Sequence, residues 1–143
     1  GPQARLGARL RRGWRLMAGT SRDTKALVMA ALKAALTDVQ VVSTVPFESG
    51  DPPGPLVLVI ATGGQGQHHR VLSTGQVTID SFAPTTGQAM SLALRVDAVI
   101  NALTAGSDYP VTRVTGNAPA ESPDPTITAA RATATYQITT RNS

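Results

Sequence analysis

The segment 85–105 has the clearest periodic pattern in this sequence and places the strongest constraint on its fold. Apolar side chains recur along it at the spacing of one side of an α-helix. They are Ala89, Leu92, Ala93, Val96, Ile100 and Leu103. Polar residues such as Arg95 and Asp97 fall in other directions, and Gly106 follows as a residue that typically ends a helix. The pattern predicts an amphipathic helix with one buried side.

A further helix is predicted over residues 21–36, close to the start of the chain. Ser21 or Thr20 can cap it, Asp23 falls in its first turn, where a negative charge favours the helix dipole, and Lys33 lies near its end. Its interior, KALVMAALKAAL, consists mostly of strong helix formers. The residues predicted to face the core are Val28, Ala31, Leu32 and Ala35.

Five segments with the character of β-strands lie around these helices. They are residues 39–44, 56–62, 75–82, 111–115 and 132–140. The second is apolar at almost every position, which is expected of a strand that is covered on both faces or central in its sheet. The third and the last alternate between apolar and polar residues. Because strands are grouped between the helices, the sequence predicts an α+β fold. We expect a mainly antiparallel sheet of four to five strands with two helices packed on one face, in the order α-β-β-β-α-β-β.

Segments rich in glycine, proline and polar residues are predicted to connect these elements. Residues 48–55 (ESGDPPGP), 63–74 (GGQGQHHRVLST) and 117–125 (NAPAESPDP) all have the composition of loops. Residues 126–130 fit no element by pattern. The connections are therefore expected to be long compared with common hairpin turns.

The positive charge is concentrated at the beginning of the chain. Six arginines and no acidic residue precede Asp23, whereas the remainder has seven basic and nine acidic residues, so the net charge of +4 comes from the first segment. We therefore divide the chain into a basic N-terminal arm, residues 1–20, and one α+β domain, residues 21–143. A length of 143 residues suits a single hydrophobic core.

The arm has the spacing of a basic amphipathic helix. Leu6, Leu10 and Trp14 fall on one side of such a helix, but Gly7 and Gly13 disfavour it in isolation.

The chain has no cysteine, which excludes disulfides and thiolate metal sites. No apolar run reaches the roughly 18–20 residues that a transmembrane helix needs, and no secretory signal is expected.

The sequence contains no arrangement typical of a catalytic or cofactor site. Adjacent His68 and His69 have no Cys, Asp or Glu nearby, which favours surface histidines over metal ligands. The glycine-rich segment 63–66 precedes a strand and not a helix, which favours a hairpin tip over a phosphate loop. The acidic residues are scattered, and no serine lies in a nucleophile elbow. We expect no enzymatic activity, no metal and no cofactor.

An ordered set of segments in this sequence is similar to one family of proteins. The segments are VQVVSTVP (39–46), PLVLVIATGG (55–64), GQVTIDSFAPTTGQAMSLALRVDAVINAL (75–103), PDPTITAAR (123–131) and ATYQITTR (134–141). Preceded by a short helix, this set resembles the tail terminator proteins of long-tailed, siphovirus-like bacteriophages, especially those of actinobacterial phages. The resemblance begins near Lys25 and continues to the end of the chain, and the arm has no counterpart in it.

The resemblance implies a structural role in the virion and no reaction. Such proteins form a ring, usually a hexamer, on the head-proximal end of the tail tube, where the ring stops tube growth and joins the tail to the neck. The implied partners are further copies of the chain, the tail tube protein and a head–tail connector or stopper protein. The implied location is the tail and neck of the virion, and the host cytoplasm during assembly, with no membrane involved.

Two other functions fit the same residues. Another head–tail connector or stopper protein of the neck is one alternative, since these proteins are also small ring-formers. A small protein that binds nucleic acid non-specifically is the other, because the arm can contact phosphates, including DNA in a channel. The slightly acidic remainder of the chain counts against this last alternative.

Contacts with neighbouring subunits or rings are predicted at the arm and at two loops. Segments 48–54 and 65–73 are longer than common hairpin loops, and deletion of 65–73 is expected to leave the fold intact while impairing tail joining. The residues assigned to these contacts are Arg5, Arg9, Arg11, Arg12, Trp14, Arg15, Glu48, Asp51, Gln65, Gln67, His68, His69 and Arg70.

Overall fold

The computed structural model describes residues 23–44, 54–68, 72–106 and 108–141, with the backbone alone for 64–68. Its elements are α1 (Thr24–Ala35), β1 (Gln40–Val42), β2 (Leu56–His68), β3 (Leu72–Ala83), α2 (Thr86–Asn101), β4 (Val111–Gly116), β5 (Ala120–Glu121) and β6 (Ala130–Arg141). The predicted α+β class and the order of its elements are confirmed. The sheet has six strands and not four to five, because the short β5 lies within the segment that was predicted to be a bend.

The helix α1 begins one turn later than its sequence pattern predicts. Asp23 is its N-cap and not a first-turn residue, since the Asp23 carboxylate accepts a hydrogen bond of 3.0 Å from the Ala26 amide. The buried side consists of Leu27, Val28, Ala31 and Leu32. The prediction of a buried Ala35 is wrong, because the chain turns at the C-cap and buries Leu36 in its place.

The sheet runs in the order β1-β2-β3-β6-β4, with β5 also paired to β6. The pair β1–β2 is parallel, and all other pairs are antiparallel. The central pair β3–β6 is continuous from Leu72 opposite Arg141 to Ala83 opposite Ala130. These two strands form the centre of the sheet, with β2 paired to β3 on one side and the shorter strands β4 and β5 paired to β6 on the other.

The hairpin β2–β3 corrects the predicted loop 63–74. The strand β2 continues to His68 and β3 starts at Leu72, and Gly66, Gln67 and His68 pair with Thr74, Ser73 and Leu72. Register shifts after Ala61 and after Gly63, whose φ is 107°, absorb the extra residues.

Both helices pack on one face of the sheet, as predicted. That helix-covered face presents Val57, Val59, Val77, Ile79, Ala134, Tyr136 and Ile138 to the helices. All six residues of the predicted stripe on the second helix are buried, although α2 ends at Asn101 and Leu103 lies in a 3-10 turn, Ala102–Thr104. Within the described residues, neither helix is both long and apolar enough to cross a membrane.

On the opposite face, called the open face below, the described residues cover one corner only. There Leu56, Leu58 and Phe82 form a small buried cluster against which Val42 and Ile127 pack. This second layer explains why the first four residues of β2 are buried on both faces, as the apolar pattern predicts, while Ile60 is exposed. Ile127 belongs to residues 126–130, which fit no element by their sequence pattern.

Ser81 provides a test of the packing beneath the helices. It is 1% exposed and lies on the helix-covered face, two positions after Ile79. Its hydroxyl has no hydrogen-bond partner within the described structure. Since an unsatisfied buried hydroxyl is unfavourable, Ser81→Ala is expected to leave the free energy of unfolding unchanged or to raise it by about 1 kcal/mol. Urea denaturation measures this change.

A capping residue is the control for Ser81→Ala. The Thr85 hydroxyl accepts a hydrogen bond from the Gln88 amide at the N-terminus of α2, so Thr85→Ala is expected to lower the free energy of unfolding by about 1 kcal/mol. A loss of that size from Ser81→Ala as well contradicts the assignment of Ser81 as unsatisfied.

Candidate assembly interface

The two outer edges of the sheet are the surfaces best suited to bind another chain. On one side, β1 pairs only with Leu56–Leu58 of the thirteen-residue strand β2. On the other side, β4 pairs only with β6. Within the described parts of the chain, β2 from Val59 onward and β4 along its outer side therefore carry backbone groups without a strand partner. Such groups are a template for pairing with another strand.

The free part of β2 before its first bulge, Val59–Thr62, is called the β2 edge here. It carries no charged residue, and Ile60 is 36% exposed, one of two large apolar side chains exposed to this extent among the described residues. Natural sheets protect free edges with charges or proline. The β2 edge has neither, so it is a candidate surface for pairing with another chain.

The opposite surface, the β4 edge (Val111–Gly116), has a different character. Arg113 and Thr115 are exposed and lie opposite Thr139 and Gln137 of β6. Residues opposite each other share a face, so Arg113 lies on the open face, as Ile60 does. The two edges thus present one exposed apolar side chain and one exposed cation on the same face at opposite ends of the sheet.

The middle of the open face, from Thr74 to Thr78 of β3 and across to β6, is polar and uncharged. Hydroxyls pair across β3 and β6 in two places, Thr74 with Thr139 at 3.1 Å and Thr78 with Thr135 at 2.9 Å. Between them the Gln137 amide donates to the Gln76 carbonyl at 3.4 Å. This surface of mutually bonded side chains has no group that stands out for catalysis.

Arg131 holds the segment between β5 and β6 against the sheet. Its guanidinium donates from Nε to the Ser122 carbonyl at 2.7 Å and from a terminal nitrogen to the Ser122 hydroxyl at 3.2 Å. The other terminal nitrogen lies 3.9 Å from the Asp124 carboxylate. Asp124 in turn accepts hydrogen bonds from the hydroxyl and the amide of Thr126. We call Arg131, Ser122, Asp124 and Thr126 the arginine clamp; it places Ile127 on the open-face corner.

The pKa values of three side chains are shifted by burial and by hydrogen bonds and ion pairs of this kind. The Tyr136 hydroxyl donates to the Asp97 carboxylate at 2.7 Å, and burial together with this bond raises the pKa of Tyr136. Hydrogen bonds from Thr126 lower the pKa of Asp124. The paired guanidinium of Arg95 lowers the pKa of Asp38. These surroundings favour the ionised forms of Asp38 and Asp124 and the neutral form of the Tyr136 phenol, as is typical of structural contacts.

The described residues contain little that suggests a small-molecule site. No three His, Cys, Asp or Glu side chains gather in the part of the chain that the structure describes. An open groove of about 350 Å³ lies at the start of α2 beside the Asp38–Arg95 pair, which is bidentate with distances of 2.7 and 3.1 Å. Both members of that pair are largely exposed.

The residues predicted to make contacts are placed only in part. Gln65, Gln67 and His68 lie in β2 next to the β2 edge, and their side chains are not described. The other predicted contact residues lie outside the described part of the chain, namely Arg5, Arg9, Arg11, Arg12, Trp14, Arg15, Glu48, Asp51, His69 and Arg70. The expectation that 65–73 is a removable loop is wrong, since its deletion removes paired residues of β2 and β3.

Two parts of the candidate interface were not identified from sequence. The free edges depend on how many residues each neighbouring strand covers, which no local pattern reports. For the arginine clamp, the sequence offered only the Asp-Pro-Thr run at 124–126, whose aspartate is typical of an Asx-turn.

Comparison with known proteins yields likeness to solved structures and not to a sequence family. No protein-family model matches the chain. No curated protein matches it either. A solved structure with no stated activity or partner has a TM-score of 0.42 and 15% sequence identity to this chain. The alignment covers 80% of this chain and 95% of that one.

Proposed function

We propose that this protein is a structural component of a bacteriophage virion, a tail terminator that forms a ring at the head-proximal end of the tail tube. In that role it stops tube polymerisation and joins the tail to a head–tail connector or stopper protein, without catalysis or cofactor. The proposal rests on the ordered sequence segments that resemble this family. The observation in the fold that supports it best is the pair of sheet edges without a strand partner among the described residues, of which the β2 edge carries no charged residue.

The two edges favour a ring over a symmetric pair. Because the β2 edge and the β4 edge differ in sequence and lie at opposite ends of one sheet, contact between them is heterologous, and a heterologous contact closes into a ring when its rotation allows. Strand addition supplies affinity through main-chain hydrogen bonds. We therefore place the β2 edge of one subunit against the β4 edge of the next.

Two substitutions that place opposite charges at position 60 test this arrangement. In the proposed contact Ile60 approaches Arg113 of the next subunit on the open face, so Ile60→Lys is expected to abolish rings by repulsion, whereas Ile60→Glu retains them by pairing with Arg113. The two variants lose the same apolar side chain, and like-charge contacts at interfaces cost several kcal/mol. Size-exclusion chromatography with light scattering measures the assembly, and negative-stain images show the rings.

The controls for this experiment are a neutral position and a second charge. Ala30→Lys places the same charge on the exposed side of α1 and is expected to leave assembly unchanged. Arg113→Glu combined with Ile60→Lys is expected to restore rings. Equal behaviour of Ile60→Lys and Ile60→Glu argues against the β4 edge as the partner, and full assembly of both removes the β2 edge from the interface.

The role at the tail is tested separately from ring formation. Particles made without the protein are expected to contain tail tubes longer than normal and not joined to heads, as seen by electron microscopy. Tubes of normal length that fail to join heads indicate a connector or stopper protein of the neck instead. A gel shift with duplex DNA, together with an absence of rings, indicates the nucleic-acid-binding alternative.

A further inference from the structure

The two helices leave an apolar groove between their C-terminal parts. It has a volume of about 360 Å³ and is open to solvent. Its walls are formed by Ala31, Ala34 and Ala35 of α1 and by Val99, Ala102 and Leu103 at the end of α2. Tyr109 and Asp108 lie at its end. A groove of this volume is small for a ligand site, since these span about 300–1,000 Å³, but it accommodates one large side chain.

The surface around the groove is unusually apolar for the outer side of a helix layer. Leu94, Ala98 and Ala102 follow each other at four-residue intervals, all exposed, and Leu94 is 53% exposed. The outer side of a surface helix is normally polar. The charged side chains of α2 do not change this, because Arg95 is bound to Asp38 and Asp97 to the Tyr136 hydroxyl.

We propose that the groove binds the N-terminal arm of the same chain, with Trp14 inserted between α1 and α2. The arm is an apolar and basic segment outside the described residues, and its Leu6, Leu10 and Trp14 have the spacing of one side of a helix. Gly7 and Gly13 disfavour that helix in isolation, so it needs a surface to form on. Because alanines line the groove, a helix formed by the arm can approach α1 and α2 closely.

The length of the segment between Trp14 and α1, and the charge beside the groove, both support docking of the arm of the same chain. Nine positions separate Trp14 from Asp23, the N-cap of α1, and they span up to about 30 Å when extended. The groove near Ala34 lies ten positions along α1, which corresponds to about 15 Å. The arm therefore reaches it without strain. Asp108 is exposed at the groove and makes no ion pair within the described structure, so it offers a carboxylate to the arginines of the arm.

The sole tryptophan makes the proposal directly measurable in the full chain. Trp14 is expected to show blue-shifted emission and low accessibility to acrylamide, because its indole is removed from water. Ala34→Lys, which places a charge in the groove at an exposed position, is expected to shift the emission to the red and to increase quenching. Ser91→Lys is the matched control, since it adds the same charge to α2 outside this groove. Trp14→Phe supplies the blank.

Three outcomes overturn the proposal. The first is emission of a water-exposed indole in the parent protein, and the second is blue-shifted emission that Ala34→Lys leaves unchanged. The third is burial of Trp14 that disappears on dilution or in the Ile60→Lys variant, since the arm then binds a neighbouring subunit. Burial that persists in non-assembling Ile60→Lys and is lost in Ala34→Lys supports docking within one chain. The result is therefore independent of whether rings form.

Discussion

Replacement of Gly75 by alanine is expected to lower the free energy of unfolding by about 1–3 kcal/mol. Gly75 lies in β3 opposite Ile138, directly beneath the start of α1. A Cβ atom there would overlap the Thr24 hydroxyl and lie 2.6 Å from the Thr24 Cβ. Thr24 is 7% exposed and is the first residue of α1, so relief requires the helix to move off the sheet. Chemical denaturation followed by circular dichroism measures the loss.

The same substitution at Gly87 is the control and has the opposite sign. Gly87 lies in the first turn of α2, and beyond its chain neighbours and its own helix backbone no atom lies within 4 Å of the position its Cβ would take. Alanine loses less conformational entropy than glycine in a helix, so Gly87→Ala is expected to raise the free energy of unfolding by about 0.5–1 kcal/mol. If Gly75→Ala is also stabilising, α1 does not pack against β3 as described.

Loss of the Arg131 guanidinium is expected to cost about 2 kcal/mol of stability, since hydrogen bonds to charged groups contribute about 1.5–3 kcal/mol. Arg131→Ala removes both bonds to Ser122 and the contact with Asp124. Because the clamp places Ile127 against Leu56 and Phe82, the loss also uncovers this corner of the open face. Amide hydrogen exchange across 122–129 is expected to accelerate before the rest of the sheet opens.

Arg131→Lys separates the charge from the geometry of the clamp. A lysine keeps the positive charge but cannot reproduce the planar fork of donors, so it is expected to lie between the parent protein and Arg131→Ala in stability. Lys33→Ala, at an exposed position on α1, is expected to change the stability by less than about 0.5 kcal/mol. Parent-like exchange of 122–129 in Arg131→Ala contradicts the clamp.

The sequence predicted best the elements whose burial is periodic. The six apolar positions of segment 85–105 are all buried, and Val77, Ile79, Ala134, Tyr136 and Ile138 lie on the face predicted by alternation. These patterns are reliable because one side of each element meets the core along its whole length. Near element ends the predictions failed: Ala35 is exposed while Leu36 is buried, since a turn and not the helix sets the direction of the last side chain.

The candidate interface was predictable only in its general location. Residues 63–68 lack an apolar pattern, so composition indicated a loop. The neighbouring strand β3, itself paired with β6 on its other side, supplies their partners and makes them part of β2. Arg131 gave no sign of its role because its partners lie seven to nine residues away and are brought close by β5 and β6.

The α+β class, the order of helices and strands, and the side of α2, β3 and β6 that faces the core all follow from the amino-acid sequence. These properties depend on local periodicity, which nearby residues fix. Which edges of the sheet lack a strand partner among the described residues depends instead on the three-dimensional arrangement of the strands. β1 covers three residues of a thirteen-residue β2, and β4 ends the other side, so the free backbone groups result from unequal lengths of strands distant in sequence. No pattern within one strand records the length of its neighbour.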